Sequence, residues 1–464
     1  SIATRRLRQL GVTLNTVHIC AVLRVQAAAM AQLAPNIQPY PRPCTPAGVA
    51  FSEAKHPCLK GSAQEERTYL GRRVTRRGMF HAVCTQTAWI VLNSESMMYT
   101  HMATLAPMPG NSSDMLLAAW QASVNDEGET GQFLMTAQSR TGGRKWEKRR
   151  RISLQEPPYA RAAVSSEGWL QERQTAGEAV QRHGGRSDWA ARPLWGPALL
   201  YSPPHPSAPG GAGQLWMFYS QGQTCRKAVD TESGLHWSPG GDIMAVSSPN
   251  GHDWSNPVVL LSQPAQGGVP FVTANSPAVT AKGHWLLPFW GELPRESTCA
   301  SAKVSGNSAG VLISEDRGAS WAVSAPIKAN GTWLIEGTIV PLDKGALLQL
   351  FRSELGRIYQ SRSFDGGHTW SEPEMTNQRL PNPNSKVAAL ALSNGEIALV
   401  YNNHKKHSAP KRARSLLFIA LSADRGATWR DVARLELAFM AGARFHYPSL
   451  LQVGCKLVIS YTVG

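Results

Sequence analysis

Several side chains that could bind a polar ligand stand at or near the ends of short apolar runs. They are four amides and one carboxylate: Asn275, Glu292, Asn384, Asn402 and Asn403. Such groups bind sugar hydroxyls when a fold gathers them at one mouth. Asn384, within Asn-Pro-Asn-Ser, could equally be a turn residue. Trp290 could stack on a sugar ring or pack in the core.

Other kinds of chemistry find no support in the sequence. It contains no zinc-finger spacing, no phosphate-binding loop and no basic helix with interleaved aromatic residues. The seven cysteines include no CxxC pair, and an odd number gives no clean disulfide framework. The sequence therefore predicts no metal, no organic cofactor and no nucleic-acid partner.

The net charge of +15 is concentrated near the beginning of the chain. Residues 1–80 hold 12 Lys/Arg against 3 Glu, and residues 1–52 hold no acidic side chain. We predict that residues 1–80 are a basic segment that is either disordered or a targeting sequence, which favours the secretory pathway or an organelle. The apolar stretch Val12–Met30 is interrupted by polar residues, so it is a poor membrane span.

A repeat supplies the framework that must position the polar groups. Residues 314–321, 363–370 and 422–429 share the pattern S-x-D-x-G-x-[ST]-W, and weaker copies at 139–146 and 247–254 lack its Asp. In a tight turn the Asp accepts backbone hydrogen bonds and the Gly adopts a conformation costly for other residues. The Trp then buries its ring between neighbouring sheets. We interpret these boxes as structural.

Six strand-like apolar runs alternate with the boxes: Met115–Trp120, Leu215–Tyr219, Trp285–Trp290, Ala346–Phe351, Ile397–Tyr401 and Leu457–Tyr461. Their blade-sized spacing predicts an all-β protein, a six-bladed β-propeller over residues 97–464 with an insertion around 150–192. The sixth run has no box after it. Either the N-terminal part closes the ring, or the last strands are missing.

The boxes resemble the aspartate boxes of the sialidase (neuraminidase) superfamily, with its bacterial-neuraminidase-repeat propellers. The resemblance covers roughly residues 97–464. The stretches 365–403 and 446–452 resemble a divergent sialidase-like subgroup found in bacteria and plants. The resemblance implies the fold more specifically than the reaction, because propellers host many activities.

The resemblance also implies roles for four residues. Glu336 and Arg352, 16 residues apart, resemble the family's glutamate and second arginine. Arg414 and Tyr447, 33 residues apart, resemble the third arginine and the nucleophilic tyrosine. Sialidases hold the substrate carboxylate with arginine guanidinium groups and use a tyrosine that a glutamate activates. Each of the four could instead be an ordinary strand-end or surface residue.

Blade one departs from the family pattern. The family's first arginine is expected in a Phe-Arg-Ile-Pro-like strand, but His101 occupies the approximate place. His101 could donate a hydrogen bond, act as an acid or base, or be structural. For the acid/base position, Glu127 with its following glycine resembles the subgroup's Glu-Gly. Asp126, Glu127 and Glu129 could all equally be solvated loop charges.

The function favoured by the sequence is a sialidase-like exo-glycoside hydrolase that removes a terminal acidic sugar. Two alternatives remain open. One is a uronate-directed polysaccharide lyase or hydrolase on the same fold, with His101 as the base. The other is a non-catalytic carbohydrate-binding propeller. The predicted partner is an anionic glycan or polysaccharide, and the chain is predicted to be a monomer without a stable membrane span.

Overall fold

The computed structural model describes residues 16–25, 82–91, 97–110, 114–154, 164–165, 192–206, 213–223, 225–228, 235–292, 308–404, 413–437, 443–454 and 456–464. The first strands are β1 (Thr16–Val25), β2 (Ala82–Val91), β3 (Tyr99–Pro107), β4 (Leu116–Ser123), β5 (Phe133–Ser139) and β6 (Arg150–Arg151). They are followed by β7 (Val164–Ser165), β8 (Leu194–Ser202), β9 (Gln214–Gln221), β10 (Arg226–Ala228), β11 (Leu235–Trp237), β12 (Asp242–Ser248) and β13 (Val258–Leu261).

The second half of the chain continues in the same manner. It contains β14 (Phe271–Val272), β15 (Ala278–Val279), β16 (Trp285–Gly291), β17 (Ala309–Ser314), β18 (Trp321–Val323), β19 (Ile335–Pro341), β20 (Leu347–Arg352), β21 (Tyr359–Ser363) and β22 (Glu374–Met375). The last strands are β23 (Ala388–Ala391), β24 (Ile397–Asn402), β25 (Leu416–Ser422), β26 (Arg430–Leu437), β27 (Phe445–Val453) and β28 (Lys456–Val463). The described helices are two single 3-10 turns, Pro264–Gln266 and Asp343–Gly345.

The strands form a ring of sheets. Five sheets have four strands: β3-β4-β5-β6, β13-β12-β9-β8, β19-β20-β21-β22, β23-β24-β25-β26 and β2-β1-β28-β27. A sixth, built from β14 to β18 with β7, has six strands, and β10 and β11 form a separate hairpin. The innermost strand of each sheet contacts the next sheet, and β27 contacts β3, which closes the ring. The all-β propeller predicted from the sequence is confirmed.

The hydrophobic core is divided among the interfaces between neighbouring sheets. Six clusters of buried apolar side chains join adjacent sheets, and the cluster between the third and fourth sheets also includes Met102 of β3. For example, Leu348 on β20 and Leu399 on β24 share one cluster, and Val400 and Leu457 share the next. Since burial of apolar surface contributes roughly 25 cal/mol per Å², these contacts between sheets are the main force that holds the ring together.

The aspartate boxes are tight turns whose geometry agrees with the prediction. In the box at 314–321, Ser314 Oγ donates to Asp316 Oδ1 at 2.8 Å and accepts from the amide of Gly318 at 2.7 Å. Asp316 also accepts from the amide of Ser320 at 2.8 Å. Trp321 is buried in the cluster between the second and third sheets. The Trp residues of the other boxes also lie in or against clusters between sheets.

The box at residues 247–254 differs from the alignment predicted from the sequence. Ser248, and not Ser247, accepts from the amide of Gly251 at 2.8 Å. Asn250 takes the role of the Asp and accepts from the amide of Asp253 at 2.9 Å. The turn is therefore one residue shorter than the others, and Pro249 does not stand at the position of the Asp.

The closing sheet combines strands from both ends of the described chain. β28 pairs with β27 on one side and with β1 on the other, and β1 pairs in turn with β2. Residues 16–25 thus form a strand, which corresponds to the first of the two alternatives from the sequence, that the N-terminal part closes the ring. The physical reason is that β28 would otherwise expose an unpaired edge. The rest of residues 1–80 lies outside the described residues.

The insertion predicted around residues 150–192 falls mostly outside the described residues. Its described parts are β6 with the short segment that follows it, β7 and Arg192. β7 pairs in parallel with β18 and extends the third sheet. Among the described residues, no helix is long and apolar enough to cross a membrane.

We expect Asp365→Ala to lower the free energy of unfolding by about 1 kcal/mol, because Asp365 accepts hydrogen bonds from Thr369 and Ser363 inside its box. Partial burial opposes ionisation, but these hydrogen bonds outweigh it and lower the pKa of Asp365 to about 2. Its unfolded value is about 3.9. The contribution is therefore complete above about pH 4 and is lost as the pH falls towards 2.

Thermal unfolding of both proteins across this pH range measures the effect. Glu372→Ala is a suitable control, because Glu372 is an exposed carboxylate in the segment that joins the same box to β22. A difference in stability that stays constant from pH 6 to pH 2 would contradict the role assigned to the carboxylate.

Candidate active site

A β-bulge at one end of the ring turns the inner strands towards the axis. β3, β8, β19 and β27 each lose register with the neighbouring strand after their first residues. The first bulged residue has a positive φ in every case: Met102 at 59°, Gly196 at 52°, Glu336 at 52° and Tyr447 at 55°. Positive φ is uncommon outside glycine, and bulges redirect side chains. The two residues expected to react therefore occupy equivalent bulges on two strands.

Side chains of adjacent sheets hold the carbonyl groups of these bulges. Asn275 Nδ2 donates to the carbonyls of Glu336 and Gly337, both at 3.0 Å. Lys386 Nζ donates to the carbonyl of Pro448 at 2.5 Å. At the other two bulges, Ser460 donates to Ala103 at 3.1 Å and Thr104 to Pro197 at 3.0 Å. Each bulge is thus fixed from outside its own strand.

Arg352 joins the two bulge residues at the centre of the site. Its Nη1 donates to both carboxylate oxygens of Glu336, at 2.9 and 3.0 Å, and to the hydroxyl of Tyr447 at 2.9 Å. Its Nε donates to Asn384 Oδ1 at 2.7 Å. Glu336 is buried and the Arg352 side chain is 12% exposed. An ion pair with these supporting hydrogen bonds fixes the guanidinium plane.

Arg414 lies over the ring of Tyr447. Its Cζ stands 5.5 Å from the centre of the Tyr447 ring. Its Nη2 donates to the backbone carbonyl of Asn384 at 2.7 Å, and its Nη1 donates to Nδ1 of His446 at 3.2 Å. Asn384, at φ 56°, therefore orients both arginines, one through its side chain and one through its backbone.

The charges around Tyr447 act in opposite directions. Burial raises the pKa of the Tyr447 phenol, and the negative charge of Glu336 raises it further, whereas Arg352 and Arg414 lower it. For Arg352, burial acts to lower the guanidinium pKa, but Glu336 and Tyr447 more than compensate and raise it. The arginine therefore stays charged, and the phenol keeps its proton unless a base removes it.

His101 is a neutral ring that packs against Tyr447. The two ring centres are 4.1 Å apart, and His101 Nδ1 forms a hydrogen bond of 3.0 Å with Thr462 Oγ1. Burial lowers the pKa of His101 well below its usual value, and the positive charges of Arg414, Lys386 and Arg352 lower it further. His101 therefore does not replace the charge of a missing arginine.

Glu127 lies at the rim, on the loop after β4. Its Oε1 accepts from Gln121 Nε2 at 2.8 Å, and its charge acts on both Tyr99 and Tyr447. The other two acids of the loop have local partners: Asp126 accepts from the amide of Glu127, and Glu129 accepts from Asn125. Of the three, the structure directs Glu127 towards the site.

Several residues predicted to bind substrate have structural contacts. The oxygen of Asn402 accepts from Ser385, and its amide N–H groups donate to the carbonyls of Leu416 and Phe445. Asn275 likewise donates to carbonyls in the fourth and fifth sheets. Both side chains are buried, so they hold the ring together and do not face a ligand.

Asn403 and Glu292 each form a hydrogen bond within their own sheet. Asn403 donates to Asp431 on the outer strand β26 at 2.8 Å. Glu292 accepts from the indole N–H of Trp290 at 3.0 Å, in the third sheet. Trp290 is 4% exposed and packs in the core cluster between the third and fourth sheets. The sequence left open whether Trp290 packs in the core or stacks on a sugar ring, and the structure supports packing in the core.

Three residues near the centre were not identified from the sequence: Tyr99, Lys386 and His446. Tyr99 stands two residues before His101, and His446 stands directly before Tyr447, but nothing in their own spacing indicates a role. Lys386 had one signal in the sequence, which is that it directly precedes an apolar run. The structure shows that it is buried, and lysine is almost never fully buried unless it is paired. Among the described residues, no group of three or more His, Cys, Asp or Glu side chains could hold a metal ion.

A family model described as BNR repeat-like domain matches residues 114–459. The chain belongs to this family. Repeats of this kind are the aspartate boxes described above, so the family assignment and the geometry of the turns agree. No curated protein matches the sequence.

Solved structures with the same fold include sialidases. A Hadza microbial sialidase, Hz136, is 14% identical with a TM-score of 0.54, covering 98% of this chain and 90% of that one. A protein of unknown function from Dyadobacter fermentans is 13% identical (TM-score 0.53; 80% and 96% covered). A leech intramolecular trans-sialidase in complex with 2,7-anhydro-Neu5Ac is 15% identical (TM-score 0.51; 79% and 65% covered). At these identities the similarity shows the fold alone.

We expect Asn384→Ala to be less stable than Asn384→Gly by about 1 kcal/mol, because alanine is strained at φ 56° and glycine is not. Both variants lose the acceptor for Arg352 Nε, so a comparison of the two isolates the backbone contribution. Urea unfolding measures the difference. Equal stabilities would show that this backbone conformation is not maintained in solution.

Proposed function

We propose that this protein is an exo-acting, retaining glycoside hydrolase that removes a terminal acidic sugar from a glycan. The observation that carries the proposal is the contact of one guanidinium nitrogen, Arg352 Nη1, with both Glu336 and the hydroxyl of Tyr447. A base and a nucleophile are thereby held side by side, on bulges that point to the same axis. This is the arrangement that an activated tyrosine nucleophile requires.

In the first step, Tyr447 Oη attacks the anomeric carbon of the sugar while its proton passes to Glu336. The bond between the anomeric carbon and the leaving oxygen breaks, and that oxygen takes a proton from Glu127. In the second step, water loses a proton to Glu127 and its oxygen attacks the same carbon. Tyr447 leaves and recovers its proton from Glu336. Two displacements at one carbon retain its configuration.

The acidic character of the substrate follows from the charges of the site. Two arginines converge beside one buried carboxylate, which leaves an excess of positive charge around Tyr447. Among the described residues, Arg352 Nη2 and Arg414 Nε have no acceptor, so these N–H groups are available to a ligand. A guanidinium fork binds a carboxylate with two parallel hydrogen bonds. A tyrosine nucleophile also avoids placing a second carboxylate against an anionic sugar.

A second candidate is β-elimination at a uronate, favoured by the contact between neutral His101 and Tyr447. Here a base removes the proton beside the carboxylate, the glycosidic oxygen leaves with a proton, and an unsaturated sugar forms. Ultraviolet absorbance of the unsaturated product distinguishes this reaction from hydrolysis. Binding of acidic glycans without either product would indicate a carbohydrate-binding propeller.

We expect Tyr447→Phe and Glu336→Gln each to lower kcat/KM for a 4-methylumbelliferyl sialoside by roughly 10²-fold or more, because each removes a group that takes part in proton transfer or bond formation. Tyr201→Phe, which changes a tyrosine in the second sheet outside the site, serves as the control. A slow substrate with fluorine beside the anomeric carbon should leave a covalent label on the peptide that contains Tyr447. Full activity of Tyr447→Phe would rule out the nucleophile assigned here.

We expect Arg414→Lys to reduce the preference for a carboxylate over its methyl ester by about tenfold, because lysine cannot form the paired hydrogen bonds. Calorimetric titration with N-acetylneuraminic acid, glucuronic acid and their methyl esters measures this preference. Arg430→Lys, on the outer strand β26, is the matched control. If the acid and the ester lose affinity equally, Arg414 does not recognise the carboxylate.

A further inference from the structure

One segment of the first sheet holds an excess of positive charge. Residues 140–151, which run from the box at 139–146 into β6, contain seven Lys/Arg and one Glu. Residues 81–464 contain 35 Lys/Arg and 29 Asp/Glu, so without this segment they would contain 28 of each. The net positive charge of residues 81–464 therefore lies in residues 140–151, which we call the basic edge.

The equivalent segments of the other sheets are not basic. The eight residues that begin at the Trp of the first box, 146–153, include four cations and one Glu. After the other boxes the same window holds no charged residue, one Lys, two Glu, and two Arg balanced by an Asp and a Glu, at 254–261, 321–328, 370–377 and 429–436 respectively. The outer part of a sheet in this ring thus forms without a cluster of cations. Because like charges in one segment repel one another, the basic edge needs a reason other than the fold.

The cations of the basic edge face solvent. Every exposed side chain in residues 140–151 is charged. Trp146, the one aromatic residue of the segment, is half-buried and packs against a core cluster. The side chains of Lys145, Lys148 and Arg150 form no hydrogen bond or ion pair with another described residue. The basic edge therefore presents charged groups to a partner and no exposed apolar group.

The basic edge extends towards the side of the ring on which the candidate site lies. The loop between β4 and β5 contains Glu127, and β5 begins after this loop at Phe133. β6 runs antiparallel to β5, with Arg151 opposite Met135. The Cζ of Arg151 lies 4.2 Å from the centre of the Phe133 ring, so the basic edge ends beside the first residue of β5. A row of cations thus leads along the outer strand towards the loop of Glu127.

The exposed groups indicate the kind of anionic partner. A segment that binds a membrane surface inserts apolar side chains, and single-stranded nucleic acids stack on exposed aromatic rings. Residues 140–151 expose neither. Short Lys/Arg-rich segments also bind acidic polysaccharides, which need only the charge, and guanidinium groups match carboxylates well. The position of the basic edge, in the same sheet as the candidate acid of a sugar site, favours a polymer of acidic sugars.

We propose that the basic edge binds a polysaccharide in which successive sugars carry carboxylates, and that the end of the same polymer enters the candidate site. The inference deepens the proposed function and rests on it for the second part. It replaces a neutral glycan with one acidic cap by a polyanionic chain as the substrate. Binding to the basic edge itself requires no catalysis.

The binding test uses polygalacturonate and a homopolymer of sialic acid, both of which carry a carboxylate on every sugar, with dextran as the uncharged probe. The variant combines Lys145→Gln, Lys148→Gln and Arg150→Gln. Because each cation in contact with a polyanion releases counterions, its affinity for the acidic polymer should fall by roughly tenfold or more at about 50 mM salt. The dependence of the binding constant on salt should also become less steep. Calorimetric titration measures both, and the polymer bound more tightly identifies the class of acidic sugar.

The matched control combines Lys282→Gln, Lys344→Gln and Arg434→Gln, which remove the same charge from exposed positions elsewhere on the ring. It should retain most of the affinity. Equal losses in the two triple variants would show that only the net charge matters, and binding of dextran as tight as that of the acidic polymers would show that the charge does not matter. Either result overturns the inference. Double-stranded DNA or vesicles of anionic phospholipid bound more tightly than both polysaccharides at the same salt would identify a different partner and overturn it as well.

Turnover separates this inference from the proposed reaction. The variant of the basic edge should keep kcat/KM for a 4-methylumbelliferyl sialoside within about twofold, because this small substrate does not extend to β6, and should lose about tenfold for release of sugar from the acidic polymer. If the wild type hydrolyses the small substrate while the variant binds and cleaves the polymer normally, the inference alone fails. If the wild type hydrolyses neither substrate while the variant loses polymer binding, the proposed reaction fails and the binding surface stands.

Discussion

The candidate site depends on a backbone constraint: two inner strands must pass through a left-handed conformation at Glu336 and Tyr447. Residues with a β-carbon adopt this conformation at a cost of order 1–3 kcal/mol, so the surrounding fold must enforce it. Here the enforcement comes from neighbouring sheets, through Asn275 for one bulge and Lys386 for the other. The chemistry of the centre is thus coupled to the packing of the whole ring.

The electrostatic design follows from the same geometry. Strand ends that converge on an axis bring like charges together: burial lowers the pKa of the Arg414 guanidinium, and the positive charge of Arg352 lowers it further. Glu336 compensates one of them, and Asn384 provides uncharged acceptors for both. His101 and His446 remain neutral because burial and the nearby cations disfavour their protonation. The centre is therefore short of negative charge, a deficit that an anionic ligand would correct.

The fold was predictable because its signals are local. The Ser, Asp and Gly of each box close a turn by themselves, and the Trp needs only a neighbouring sheet. The site was predictable in part, since Glu336, Arg352, Arg414 and Tyr447 do meet. Asn275 and Asn402 could not be judged from the sequence, because an amide at a strand end can bind a sugar or a backbone carbonyl. Closure of the ring by the N-terminal part was one of two alternatives, but β1 itself could not be located because it has no box and its partner lies at the far end of the sequence.

The pairing of β1 with β28 also has a consequence for biogenesis. β27, which presents Tyr447, lies on the far side of β28 from β1, so its sheet is complete only when an early and a late segment have met. During translation β1 emerges first and remains without its partner while the intervening sheets are synthesised. The candidate site therefore cannot be complete before β28 has left the ribosome, and β1, which is made early, closes the finished ring.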